Sequence, residues 1–278
     1  MLKDYANLAQ RILEDENIGY LKNKISISRR FEEEIFGDPK ELISRLTIID
    51  SHYSTQMNKR LFGIEEIAEA IKEIEDSDLK NKAINYFNNN ENREFFNTLF
   101  GKKYGYNKKG EQTKKAPSLI SKYLYFLTEY NFPIYDNLAK ESYESIRKMY
   151  RNYGLESLGN NYNENYFEKI SKLNGISEIN DFDKLDNLLW LMGKIKRGSF
   201  SLILNKNKYL ELVNPIEFEE ELKSKEIDKK IREHIKQNID EERIKNIFSL
   251  DAIHFMIFCY EEREIEEVTD PLRPRVMA

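Results

Sequence analysis

Asp136 is the carboxylate best placed to do chemistry in this 278-residue chain. It follows the short connection Asn131-Phe132-Pro133-Ile134-Tyr135 and opens the next helical run. A carboxylate at a helix N-terminus accepts backbone N–H bonds and feels the positive end of the helix dipole, so it stays ionised. Taken alone, such a residue is an ordinary cap. Ser118 lies 18 residues upstream. Lys122 is one turn further on and shares its face, because positions i and i+4 align on a helix. Lys115 is about one turn earlier. Residues 101–122 hold seven lysines (Lys102, Lys103, Lys108, Lys109, Lys114, Lys115 and Lys122) against one acid, Glu111, a net of +6. Such a block suits a phosphate backbone, although the whole chain carries −5. Its bland reading is a solvated lysine loop. An opposed block at 261–270, EEREIEEVTD, carries a net of −5.

The elements that would position these groups are helices. Apolar residues recur at helical spacing in 41–54 (Leu42, Leu46, Ile49, Tyr53) and in 64–75, which Gly63 precedes. The run 76–89 opens on Asp76 and Ser77 as a cap, 91–101 ends in a glycine, and 117–130 begins with a proline at its first turn. Further helices are expected at 137–154, 162–174, 181–194, 217–239 and 241–262. The segment 101–117, with three glycines and no apolar periodicity, reads as a loop or hairpin between two helices. Only 199–213 has strand character, and the tail after Glu267 is expected to be extended. No period of 20–50 residues recurs, which excludes a solenoid.

The stretch 114–142 resembles the helix-hairpin-helix glycosylase superfamily of base-excision repair, in its 8-oxoguanine DNA glycosylase-like branch. Phe132, Pro133, Ile134 and Asp136 stand in that superfamily's Phe-Pro-Ile-x-Asp positions, and Ser118 stands where the adenine glycosylases have a serine. Lys140 falls where a basic residue often follows. The run 42–71 resembles the superfamily's early helix, whose polar end fills the gap left by a flipped base; Ser54, Thr55 and Gln56 stand there. LDNLLWLMGK (185–194) resembles relatives of the 8-oxoguanine glycosylases. The sequence departs from the family at the hairpin, which usually reads Leu-Pro-Gly-x-Gly. Here Lys114, Lys115, Ala116 and Pro117 precede the helix, so phosphate binding would rest on lysine side chains. No lysine occupies the usual position at the helix start; Lys122 and Lys115 could each reach the site, which leaves lyase chemistry open.

The resemblance implies cleavage of an N-glycosidic bond, in which positive charge develops at the sugar's anomeric carbon. Asp136 would stabilise that charge and orient the attacking water. Ser118 would position water or a phosphate, and Lys122 would act as a nucleophile only with a lowered pKa. Removing the base from the duplex costs a few kcal/mol. Ser54, Thr55 and Gln56 would bond the orphaned partner base, while His52, Tyr53 and Tyr123 would line the base pocket. The bland alternatives are core tyrosines and a surface histidine. His254 and Cys259, in the apolar run IHFMIFCY, read as core residues.

Composition bounds the rest. Hydrophobic residues are 40% of the chain and aromatics include 17 Tyr and 16 Phe, which excludes a disordered chain. One cysteine excludes an internal disulfide and a multi-Cys metal site, and three dispersed histidines (His52, His234, His254) argue against a His-rich one. No apolar run approaches the ~18 residues of a membrane span, and the acidic, amphipathic N-terminus does not read as a signal peptide.

The expectation is an all-α, two-lobed protein with a cleft between its lobes. One lobe comprises 1–40 plus 155–278, and the central lobe comprises 41–154 with the basic loop 101–117. It is expected to be a cytoplasmic monomer without cofactor or metal. Its function is expected to be excision of a damaged or modified base from DNA, in repair or in defence against modified foreign DNA. The rivals are a non-catalytic DNA-binding protein of the same fold, a glycosidase acting on modified nucleosides or RNA, and a helical interaction protein.

Overall fold

The computed structural model describes residues 2–14, 20–53, 63–159, 165–197 and 250–260. Among these the chain is mostly helical, with a single two-stranded antiparallel hairpin. The described residues fall into two compact units. A terminal unit draws on Met1–Leu21, Asn137–Ser157 and Lys172–Ala278, and a central unit on Lys22–Asp136 and Leu158–Ser171. The helix that follows Asp136, placed with the central lobe on sequence grounds, groups with the terminal unit.

The described residues of the terminal unit include the helices α1 (Leu2–Glu14), α8 (Asn137–Met149), α10 (Phe182–Lys196) and α11 (Leu250–Tyr260). α1 buries Leu2, Ala6, Ala9 and Leu13 along one stripe. α10 is capped by Asp181, whose carboxylate accepts from the Lys184 N–H at 3.1 Å. α8 and α10 come into backbone contact: a Cβ on Gly193 would lie 2.8 Å from the Leu138 Cβ and 3.0 Å from the Leu138 carbonyl oxygen. Ser142 stitches the same pair by donating to the Leu189 carbonyl at 2.6 Å. This contact explains the glycine in LDNLLWLMGK without a ligand. On α11 Cys259 is buried, as its apolar setting suggests, and burial pushes its thiol pKa up. His254, read as a core residue, is instead exposed, because it lies on the face opposite Phe255, Met256 and Cys259.

The central unit contains α3 (Pro39–Tyr53), α4 (Ile64–Ile71), α5 (Asp76–Ile84), α6 (Asn90–Gly101), the hairpin β1 (Lys103–Tyr106) and β2 (Gln112–Lys115), and α7 (Pro117–Leu127). α7 is its axis, packing on α3, α5 and α6. Every α7 residue except Ser118 is buried. Beside it lies an aromatic cluster of Tyr86, Phe96, Phe100, Phe132 and Phe167, with ring centroids 4.7–6.2 Å apart among its contacts. α7 stops at Thr128, earlier than the periodicity suggests, because Glu129 and Tyr130 turn left-handed at φ 53° and 73°. Non-glycine residues resist that conformation. Here the Tyr130 hydroxyl bonds the Ser28 hydroxyl, and the Lys24 ammonium sits 4.1 Å from its ring centroid.

Two further α-helices stand among the described residues. α2 (Tyr20–Ser28) carries little apolar periodicity and was not legible in the sequence. α9 (Tyr166–Ile176) begins four residues later than the periodicity predicts. Asp76 does not cap α5. Glu75 occupies the cap position, and the Asp76 carboxylate turns inward. The expected strand at 199–213, the expected helix at 217–239, the acidic block and the C-terminal tail lie outside the described residues, as does half of the expected helix at 241–262.

Candidate active site

Three of the residues picked out by spacing meet in the central unit. Pro117 occupies the first turn of α7, where its missing N–H costs nothing. The next residue, Ser118, is the one position of that helix left partly accessible. One turn on, the Lys122 ammonium donates to Ser118 Oγ at 3.0 Å and lies 3.5 Å from Asp136 Oδ2. It also sits 5.3 Å from the ring centroid of Tyr53, at the end of α3. The Lys122 side chain is 3% exposed and that of Asp136 is 23%. A sealed ammonium is tolerable because a carboxylate, a hydroxyl and an aromatic face surround it. The carboxylate keeps one side towards solvent. It immediately precedes α8, whose N-terminal dipole favours a negative charge there.

The loop ahead of Asp136 is anchored by its apolar residues. Phe132 enters the aromatic cluster, and Pro133 and Ile134 are buried. One peptide group of this loop is held at both ends. The Ile134 carbonyl accepts from the Tyr166 hydroxyl at 2.9 Å, and the Tyr135 N–H donates to Ser121 Oγ at 2.9 Å. Neither Ser121 nor Tyr166 stands out in the sequence, since each lies in an apolar helical run.

The basic segment resolves into a hairpin that runs straight into α7. Asn107 builds its turn: its side-chain oxygen accepts from the N–H groups of Lys109 at 2.8 Å and Glu111 at 3.0 Å. Gly110 takes φ +79°, which a side chain would resist. Tyr104, fully buried, ties β1 to α6 by donating to the Leu99 carbonyl at 2.7 Å. Burial raises its hydroxyl pKa well above the usual value. Lys102, Lys103, Lys108, Lys109, Lys114 and Lys115 are all exposed. A set of ammonium groups on a folded hairpin loses less freedom on meeting phosphates than one on a floppy loop.

The remaining expectations fare differently. Tyr123 cannot offer its ring to a base. It is sealed in the core, where its hydroxyl donates to Asp76 Oδ1 at 3.3 Å. The reason is angular: it follows Lys122 by about 100° around the helix, which turns it towards Asp76 instead of Asp136. His52 is exposed on the last turn of α3. Tyr53 is half-buried, edge-on to Phe126 at 5.9 Å. Ser54, Thr55 and Gln56 lie outside the described residues. Lys140, in the first turn of α8, has its pKa lowered by burial. Among the described residues no three His, Cys, Asp or Glu side chains come together as a metal would require, and no helix is long and apolar enough to cross a membrane.

Comparison of the chain with protein-family models, with curated proteins and with solved structures finds no match.

Proposed function

We propose that the protein is a DNA N-glycosylase that removes a damaged or modified base. The observation that carries this reading is the meeting of Ser118, Lys122 and Asp136 at the foot of a basic hairpin. In the hydrolytic reaction the bond from the anomeric carbon to the base nitrogen breaks, and its electron pair leaves with the base. Asp136 faces the resulting oxocarbenium-like sugar and takes a proton from the water that attacks it. A charge fixed in advance stabilises the transition state more than the ground state. Ser118, the accessible residue of α7, orients that water. The hairpin lysines hold the phosphates on either side, and the DNA pays for extrusion of the base out of these contacts.

Lys122 supports a second course. As a free amine it would attack the same carbon and leave a Schiff base that opens the strand. Asp136 is the carboxylate placed to take its proton, and the base departs with the electron pair of the broken bond to the anomeric carbon. The rival without chemistry, a DNA-binding protein of the same architecture, is favoured by the ion pair that already satisfies Lys122.

The test is a panel of duplexes, each carrying one modified base, assayed for alkali-labile sites. Asp136→Asn is expected to slow release by roughly 10²–10³-fold; equal rates would remove Asp136 from the mechanism. Strand scission without alkali that disappears in Lys122→Ala would establish the lyase course. Changing Lys102, Lys103, Lys108 and Lys109 to Glu is expected to weaken DNA binding and flatten its salt dependence. Unchanged binding would refute the hairpin as the DNA face.

A further inference from the structure

Asp136 is useful only if its carboxylate stays at one distance from the Lys122 ammonium and the reacting sugar. It sits at the end of an irregular loop, so something must hold that loop. The Phe132 ring fixes its entrance, four residues upstream. Closer to the carboxylate, the structure places two buried hydroxyls on the two ends of a single peptide group. Tyr166, from α9, donates to the Ile134 carbonyl at 2.9 Å. Ser121, from α7, accepts from the Tyr135 N–H at 2.9 Å and itself donates to the Ser118 carbonyl at 3.2 Å. Ser121 is wholly inaccessible and Tyr166 nearly so.

We infer that Ser121 and Tyr166 are positioning residues that clamp the Ile134–Tyr135 peptide plane and thereby set Asp136 against Lys122. This rests on the glycosylase reading of the same site. A peptide group is planar and rigid, so holding its oxygen from one side and its N–H from the other fixes its orientation. The next Cα then has only the torsions of Tyr135 and Asp136 left before the carboxylate. Tyr135 itself is limited by its edge-on contact with Tyr166 at 4.7 Å. Ser121 also lies on the same helix as Ser118 and Lys122, and its hydroxyl donates to the backbone of Ser118. One helical turn therefore carries the ammonium, the accessible hydroxyl and half of the clamp on the carboxylate. Displacement of a catalytic group by about 1 Å can cost 10²-fold in rate.

The clamp and the reaction are tested separately. Amide hydrogen exchange of the full-length protein, without DNA, reads the clamp. In both Ser121→Ala and Tyr166→Phe the Tyr135 N–H is expected to exchange at least 10-fold faster, while α7 core amides keep their protection. Unchanged Tyr135 protection in both variants, or protection lost evenly across the central unit, overturns the clamp. Base release then reads its consequence. Each variant is expected to lose roughly 10- to 100-fold in kcat with KM little changed. The loss should nearly vanish when either change is made in the Asp136→Asn protein, because the clamp acts through that carboxylate. An equal loss in both backgrounds shows a merely structural role and overturns the inference. Should the wild type release no base from any duplex, the glycosylase reading fails and the positioning role fails with it, whatever the amide exchange shows.

Discussion

Two aspartates of the central unit each face a buried cation, and the two pairs lie beside neighbouring residues of α7. Asp76 meets Arg45 at 2.7 Å, with side chains 5% and 1% exposed. Asp136 meets Lys122 at 3.5 Å and keeps 23% of its surface. The first pair is enclosed by further partners, although the Arg45 Nε makes no hydrogen bond. Asp76 also accepts from the Ile35 N–H at 3.0 Å and from the Tyr123 hydroxyl, while Arg45 bonds the Glu33 carbonyl and lies 4.7 Å from the Phe31 ring centroid. A planar guanidinium suits such a crowded, fixed network. The second pair joins a point-like ammonium to a carboxylate with an open side. A closed network holds elements together, whereas one left open to solvent can admit a reacting atom. The comparison separates a carboxylate that builds the fold from one placed to act.

The sharpest way to break this contrast is to delete each carboxylate and read stability. Asp76→Ala strands a sealed guanidinium and is expected to cost about 3–5 kcal/mol in chemical denaturation. Asp136→Asn keeps the shape and a polar partner, so it should cost clearly less stability while abolishing most base release. A larger loss of stability for Asp136→Asn than for Asp76→Ala would reverse the assignment.

Alkaline pH tests the sealed network by another route. Burial, and secondarily the Asp76 charge, raises the pKa of Tyr123 well above the ordinary value. Burial likewise raises Tyr104 and Tyr150, and pushes Tyr143 up to about 12. A tyrosine raised in the folded state keeps its proton there while the unfolded chain releases it above pH ~10. Stability is therefore complete below that pH and is lost as pH rises towards the folded values, by up to about 1.4 kcal/mol per pH unit for each such group. Tyrosinate absorbance should show a late fraction that appears only with loss of helical circular dichroism. A smooth titration of every tyrosine without unfolding would contradict the burial.

The smallest effect is the finest test. Tyr123→Phe removes one donor to Asp76 and leaves the ring, so about 1 kcal/mol of stability should be lost. The variant should also show a shallower alkaline decline. Base release should be untouched at neutral pH, since Tyr123 is sealed in the core against Asp76. A fall in release comparable to that of Asp136→Asn would put Tyr123 back in the base pocket.

Much of the helical frame could be read from residue order. α3, α4, α7 and α10 all lie within the predicted runs to within a few residues, because an apolar stripe and a cap are local signals. Pro117 marks the start of α7, and the lysine-rich segment proves to be the hairpin that its glycines allowed. The failures have physical causes. α2 was missed because its buried side chains include Lys24, which tertiary contacts with Tyr125 and Tyr130 make tolerable. His254 was misread because an apolar run does not say which face of its helix is covered. Asp76 resembled a cap because Asp before an amphipathic run usually is one; Arg45, 31 residues away, claimed it instead.

The candidate site divides in the same way. That Ser118 and Lys122 share a face, and that Asp136 heads a helix, follows from helical geometry and needs no partner elsewhere in the chain. Which lysine meets Asp136 could not follow from order alone, since Lys115 and Lys122 each lie about one turn from Ser118; folding chose Lys122 by sealing it beneath Tyr53 and leaving Lys115 on an exposed strand. The clamp on the Ile134–Tyr135 peptide joins residues 14 and 32 positions apart. Contacts that span such distances depend on how helices pack, and packing is decided by many side chains at once rather than by the spacing of a few.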